Sequence, residues 1–271
     1  MVAALETYGP QLLEGFRTTV ALVVLAMLGG FLVPIPLAAA RFPRRRALRV
    51  RRHSYGSLSP PLSPCRRALR GLAHAYSWLF RGTPVLAQLF FVYYGAGQFR
   101  AELAQFGLWT WFRDPFFCAA LTFALNSASY QSEILHGAIR DVPKAQRDAA
   151  HALGLSRWAC FRAIILPQAA LIAMRPLGNE LILTVKASAI ASVVTVLDLM
   201  GVTRMIYGRT FDLGIFIWAA AVYLVIVEAV RHLIAVAERR LARHLHLDDR
   251  RDRRKTGRKA PQNGLPLSTR G

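Results

Sequence analysis

Apolar residues in this chain come in long blocks separated by short polar connections. The clearest block, Thr18 to Ala40, runs for 23 residues without a charge. At about 1.5 Å of rise per helical residue, a block of this length covers the hydrocarbon core of a bilayer, about 30 Å. Further blocks of similar character cover 74–97, including the apolar run Pro84 to Tyr94, then 115–137, 168–194 and 214–236. The pattern predicts an all-α membrane protein with about five transmembrane helices, the first at about 17–40. This first block does not read as a signal peptide. No Lys or Arg precedes Arg17, Glu6 and Glu14 do, and the apolar stretch is longer than a signal core.

Charge sharpens the picture. The 271 residues carry a formal charge of +20 although 54% of them are hydrophobic. A membrane protein reconciles these by placing the two in different segments. Residues 41–70 hold ten Arg, 140–162 five Lys or Arg, and 237–271 eleven, whereas 98–115 and 195–213 hold two Arg each, balanced by acids. The positive-inside rule makes the three rich segments cytoplasmic, with an odd number of spans, the N-terminus outside and the C-terminus inside. The basic balance then reflects topology and attraction to anionic membrane lipid, and needs no nucleic acid. Cys65, Cys118 and Cys160 form no motif, and two lie on the reducing side, so no disulfide is expected.

The connection at 138–167 has its own helical logic. Asp141 is placed to cap a helix with Pro143 in its first turn, running through Gln146, Ala149 and Leu153. Gly154 can end it in the left-handed conformation, Ser156 can cap a second short helix, and Pro167 should limit that one. Ala149 and Ala150 are small enough to let another surface approach closely. Helix, glycine turn and helix in a basic chain also fit a DNA-binding helix-turn-helix. The flanks, Pro115 to Leu125 and Leu166 to Ile190, are too apolar for a soluble DNA-binding domain.

The spacing Asp148-Ala149-Ala150, three residues, Gly154, nine residues, Ile164, one residue, Leu166-Pro167 resembles the signature loop of bacterial ABC importer permeases, with Asp148 in place of the usual Glu. From about 68 to 245 the chain resembles the polar amino-acid branch of that family, of the histidine/lysine/arginine and opine type. Phe80-Arg81-Gly82-Thr83-Pro84 precedes Gln88-Leu89-Phe90-Phe91-Val92-Tyr93-Tyr94-Gly95. Leu125-Asn126 leads into Tyr130-Gln131-Ser132-Glu133-Ile134, Gly137-Ala138-Ile139 and Val142-Pro143, and Gly178-Asn179-Glu180 precedes Lys186-Ala187-Ser188. Each block alone is weak; their order together with the loop is specific.

The resemblance implies a transmembrane permease subunit of an importer of polar, basic amino acids in the bacterial inner membrane. Its implied partners are an ABC ATP-binding subunit, a second permease of the same or a related chain, and a periplasmic amino-acid-binding protein. Asp148, Ala149, Ala150, Gly154, Leu166 and Pro167 would form the coupling element that docks on the ATPase. No Gly-x-x-x-x-Gly-Lys-Ser/Thr loop occurs, so ATP-Mg would bind in the partner and this chain is expected to need no cofactor, no metal and no catalytic residue of its own. Ser127, Ser129 and His136 show no triad spacing. The implied organisation is an N-terminal periplasmic segment 1–16, a transmembrane domain 17–245 with an atypical cytoplasmic loop 41–73, and a basic disordered tail 246–271. Residues 50–67, rich in Ser, Pro and Arg, look like a local insertion.

Charged residues inside apolar blocks are costly unless paired or hydrated, and therefore candidate sites. Glu180 has two readings. One is an ion pair with Arg175 or Lys186, or a polar contact between permeases. The other, which the resemblance implies, is contact with the cationic substrate, supplemented by Asn179. Arg81 has three: a side chain reaching back to the headgroups, a partner of Glu133, or a bidentate partner of the substrate carboxylate. Gly82-Thr83-Pro84 should break the helix just beyond it. A secondary transporter or channel is the competing transport class; the lack of an internal repeat argues against the former and the coupling loop against both.

Overall fold

The computed structural model describes residues 2–32 and 64–256. Most of the expected 50–67 insertion and the last fifteen residues of the expected tail, 257–271, lie outside them. The described residues are helical throughout, without strands. Helix α1 is Val2–Leu32. α2 (Pro64–Gly82) and α3 (Val85–Gln98) follow, then two short helices, α4 (Arg100–Gln105) and α5 (Trp109–Phe112). α6 (Pro115–Asp141) is succeeded by α7 (Lys144–Ala152) and α8 (Arg157–Cys160). A π-helical turn, Phe161–Ile165, joins α8 to α9 (Leu166–Ser188), which tightens into a 3₁₀ turn at Ala189–Val194. α10 (Leu199–Thr210) and α11 (Gly214–Thr256) complete the chain.

Among the described residues, three stretches are long and apolar enough to cross a membrane: Tyr8–Phe31, Trp158–Val194 and Gly214–Leu241. The first begins earlier than the expected boundary at 17. The other two expected spans are helical but chemically mixed. The second is broken between α2 and α3. The third, α6, is the hub of the bundle, packed against α1, α9, α3 and α2. Its buried face carries Thr122, Ser127, Ser129, Gln131 and Ser132 among small apolar residues. Two of the hydroxyls bond within their own helix: Thr122 Oγ1 donates to the Cys118 carbonyl at 2.7 Å and Ser129 Oγ to that of Asn126 at 2.6 Å. Small hydroxyl residues let neighbouring backbones come close, the packing mode that membrane helices favour. Against this face lies Gly30 of α1, where a Cβ would sit 2.4 Å from Gln131 Nε2.

Several local expectations change. Asp141 does not cap α7; it is the last residue of α6, and α7 starts only at Lys144. Residue 142 is extended (ψ 126°), as favoured before a proline, so the chain turns there and the reversal leaves Asp141 on the preceding helix. Pro167 does not end the second short helix. The π turn carries the chain past it, with the Leu166 N–H donating to the Phe161 carbonyl, and the helix continues to Ser188. A widened turn absorbs the carbonyl that a proline leaves without a donor. Helix α2 begins at Pro64, inside the segment expected to be a loop. α11 stays helical to Thr256, beyond the expected start of the disordered tail at 246.

At the far end of α9, Asp198 is fully buried and caps α10 by accepting from Gly201 N at 2.9 Å and Met200 N at 3.4 Å. Tyr223 of α11 donates to the same carboxylate at 3.3 Å, and Thr19 of α1 accepts from Leu199 N at 3.0 Å. Asp198 thus ties α10 to α11, and Thr19 adds α1 at the same turn. Burial pushes the Asp198 carboxyl up from 3.8 to about 6, while the Gly201 and Met200 N–H groups and the Tyr223 hydroxyl pull the other way. The folded value lies above the unfolded one. Its contribution to stability is therefore full below about pH 3.8 and lost as pH rises through about 6. Thermal melts of the purified protein should show wild type losing more stability than Asp198→Asn across that interval; parallel profiles would remove Asp198 as the titrating group. Asp198→Ala, which abolishes the cap, should cost about 1–2 kcal/mol at low pH and less as pH rises through about 6.

Candidate functional site

The site begins at the break between α2 and α3. Pro84 has no N–H, so the carbonyl four residues earlier, Phe80, loses its helical donor. Two side chains replace it. Gln88 Nε2 donates to the Phe80 carbonyl at 2.9 Å and Asn126 Nδ2 of α6 donates to the same oxygen at 3.0 Å. Gln88 also reaches the Thr83 carbonyl (3.1 Å) and hydroxyl (2.8 Å), and Asn126 donates to Gln88 Oε1 at 3.1 Å. Thr83 Oγ1 donates to the Leu79 carbonyl at 2.7 Å. The Tyr76 hydroxyl donates to the Leu125 carbonyl, a second tie from α2 to α6. The sequence signalled the break through Thr83-Pro84. The role of Gln88 and Asn126 follows only on asking which carbonyl Pro84 orphans.

Arg81 is the next residue after Phe80. Its guanidinium lies over the Tyr130 ring, 5.3 Å from the centroid. Together with His74, Ser77, Trp78 and Glu133 these two residues line an open cavity of about 480 Å³ between α2 and α6. A second cavity of about 300 Å³, between α6 and α9, is lined by Glu133, Gly137, Asp141, Ile172 and Pro176 among others. Glu180 lines neither: it is only 7% exposed and points into the bundle. The Ser127 and Thr184 hydroxyls lie beside its carboxylate, and the charge of Arg81 acts on it. Gln131 Nε2 donates to Ser127 Oγ at 3.0 Å, extending this buried polar chain toward α1. Arg175 pairs instead with Glu238, Nε to Oε1 at 2.7 Å, and Lys186 is exposed, so neither expected ion pair to Glu180 forms. Asn179 is exposed. It is rotated about 100° around the helix from Glu180, so the two do not share a face.

The second region is the α7 module. Arg147 reaches back with Nη2 to the carbonyls of Ile139 (2.7 Å), Val142 (2.9 Å) and Arg140 (3.2 Å). These are among the unsatisfied carbonyls at the end of α6, and a cation suits that terminus. Gln146 and Gln168 hydrogen-bond, joining α7 to α9. The sequence had not singled out Arg147; a lone Arg six residues past a helix end carries no motif. Asp148 and Ala149 face outward, whereas Ala150 is buried at 1% exposure against the rest of the chain. Gly154 has φ +73°, with open space where a Cβ would stand, so it is required for conformation and not for room. Ser156 Oγ accepts from Ala159 N at 3.2 Å, as a cap should. Leu153 and Trp158 stand 79% and 67% exposed on the module, and Leu166 is 46% exposed while Pro167 is half-buried.

A broken helix beside a charged cavity, together with an outward-facing helix–glycine–helix module, defines a membrane transport subunit. Residues 65–243 match the family described as "Binding-protein-dependent transport system inner membrane component". The nopaline transport system permease protein NocM of Agrobacterium fabrum is 37% identical over 237 residues, 87% of this chain and 90% of that protein. The arginine ABC transporter permease protein ArtM of Escherichia coli is 36% identical over 169 residues, covering 62% of this chain and 76% of its own length. A crystal structure of an amino acid ABC transporter with histidines superimposes with a TM-score of 0.70 at 29% identity, over 89% of this chain and 98% of that one. The chain belongs to the family of binding-protein-dependent transport system inner membrane components.

Two outcomes test the geometry. Gly154→Val should abolish transport at normal protein levels, because a left-handed β-branched residue costs about 1–2 kcal/mol or more. Gly154→Asn should retain more, since Asn tolerates that conformation; equal loss in both would mean that side-chain volume and not backbone conformation matters. Asn126→Ala should lower the stability by about 2 kcal/mol, the net value of the two hydrogen bonds it donates, while Gln88 still holds the Phe80 carbonyl.

Proposed function

We propose that this chain is a permease subunit importing basic amino acids across the bacterial inner membrane, driven by ATP hydrolysis in a separate subunit. The chain is an amino-acid ABC importer permease by family and by relatives. The observation that carries the mechanism is the α7 module: Arg147 straps it to the end of α6 while Asp148, Ala149, Leu153 and Trp158 face outward. An ABC ATP-binding subunit that grips this surface moves α6, and through Gln146 and Gln168 also α9. Asp148, Ala149, Ala150, Gly154, Leu166 and Pro167 form that coupling element. ATP-Mg binds in the partner, and this chain carries no cofactor of its own.

The assembly contains a second permease of the same or a related chain and a periplasmic amino-acid-binding protein that delivers substrate. The transmembrane domain spans 17–245, with α2–α3 and α6 serving as the second and third of five spans, the N-terminus outside and the basic C-terminus inside. The relatives' names, nopaline and arginine, and the acids within and beside the bundle support a cationic substrate. Arg81 offers a partner for its carboxylate, Glu180 supplies negative charge from within the bundle, and Asn179 supplements it as donor and acceptor.

Substrate-stimulated ATPase activity of the reconstituted complex, scanned across amino acids, tests this reading. Arginine, lysine or an opine should stimulate most; stimulation by acidic or neutral amino acids alone would overturn it. Glu180→Gln keeps shape and loses charge. Discrimination between basic and neutral amino acids should weaken by about 1–3 kcal/mol, the scale of a charged hydrogen bond. Unchanged ranking with reduced complex yield would assign Glu180 to structure.

A further inference from the structure

We propose that residues 99–112 form an amphipathic segment lying in the outer interface of the bilayer, with Phe99, Phe106, Leu108 and Trp111 set among lipid headgroups and upper acyl chains. The proposal rests on the topology argued above, in which α3 and α6 belong to consecutive spans and this connection is extracytoplasmic.

The connection is ordered, yet it buries nothing of its own. Neither α4 nor α5 contains a buried residue. Seven of the fourteen residues are Phe, Leu or Trp, a composition that calls for a cover. Phe106 is 78% exposed, and Phe99, Leu108 and Trp111 are exposed with it. These side chains are sorted onto one side. Phe99, Leu103 and Phe106 recur at spacings of four and three and share a face of α4, whereas Ala101 and Gln105 fall on the opposite one. Gly107, at φ +68°, turns the chain into α5. There Trp109 and Phe112 look inward. The Arg100 guanidinium lies over the Trp109 ring, 5.5 Å from its centroid, and Phe112 meets Phe117 of α6 edge-on at 5.5 Å. Trp111 also touches Phe117, yet most of its surface stays open.

Three observations select lipid as the cover. First, the backbone can leave water: the N–H groups of Leu103, Phe106, Leu108 and Trp111 all donate to carbonyls within the segment. Second, Arg100 and Arg113 are balanced by Glu102 and Asp114, so aromatic area and not net charge supplies the attraction. Amphipathic Trp rings suit the headgroup level in particular. Third, the exposed face continues along α3 through Tyr94 and Phe91, which lie three residues apart within a span. A soluble binding protein that docks and departs in each cycle would leave this apolar face in water between visits. The bilayer covers it throughout.

The test uses the full complex reconstituted in phosphatidylethanolamine/phosphatidylglycerol vesicles, with its other reactive cysteines replaced. Nitroxide labels are placed at Phe106→Cys and, on the opposite face, at Gln105→Cys. Oxygen and aqueous nickel accessibility should put the label at 106 about 5–10 Å below the phosphates, the depth of an interfacial helix, and the label at 105 in water. Equal access of nickel to both would overturn the proposal. A second measurement needs no substitution. A phospholipid with a carbene precursor high in its acyl chain should leave adducts within 99–112 of the wild-type complex, read by mass spectrometry, whether or not the binding protein is present. Adducts on α3 and α6 but none within 99–112 would overturn the interfacial placement alone. Adducts that the binding protein suppresses would assign the face to that protein instead. Adducts missing from α3 and α6 as well would overturn the topology beneath it.

Discussion

The carbonyl of Phe80 is the point on which the transport half of this molecule turns. An apolar interior offers no water to a backbone oxygen that has lost its helical donor, so a proline that breaks a helix there demands a replacement from the protein. Gln88 supplies one from the next helix and Asn126 another from α6. The break between α2 and α3 is therefore held by α6 and is not a loose hinge. Because Arg81 follows directly on Phe80, the same hydrogen bonds fix where that cation enters the cavity and why it lies over Tyr130, one turn along α6 from Asn126. Motif residues that look unrelated in the sequence, Thr83-Pro84, Gln88 and Leu125-Asn126, are parts of one solution to one unsatisfied acceptor.

Helix α6 joins this arrangement to the outward-facing α7 module. Past its middle, its polar face receives α1 through Gly30 and Gln131; at its C-terminal end its last carbonyls are held by Arg147 of α7. A load applied to α7 therefore acts on hydrogen bonds of 2.7 and 2.9 Å to the end of α6 itself and not on a flexible tether. The π turn before Pro167 has a matching consequence on the other side. It lets α8 and α9 form one rod from Arg157 to Ser188, so the module connects at both ends to helices that run deep into the bundle.

Long apolar periodicity made α1, α9 and α11 legible from the sequence, and the glycine turn at Gly154 and the cap at Ser156 followed from local backbone chemistry. What escaped were features set by tertiary partners. Asp141 has the composition of a cap, yet the extended residue before Pro143 places it at the end of the preceding helix. Pro167 is a helix stop in isolation, and a π turn overrides it. Glu180 was visible as a charge in an apolar block, but periodicity around Asn179-Glu180 does not say which of two adjacent residues faces the bundle. Arg147 and Asp198 lack motifs because their importance lies in carbonyls and amides of other segments, which no local pattern encodes.

The placement of the acids carries a physical argument about selectivity. A carboxylate that is buried behind the helix surface with hydroxyls beside it, as Glu180 is with Ser127 and Thr184, is screened from direct contact with a ligand. It acts on a passing cation through its field, which in a poorly hydrated interior extends farther than in water. A carboxylate at a cavity surface, as Glu133 is, can exchange its partners for those of a ligand and so distinguish one cation from another by geometry. Field and contact are different filters. The first excludes anions without regard to shape; the second reads shape only in molecules that the first admits. A permease that separated the two would keep its preference for positive charge in one group and read the shape of the cation with another.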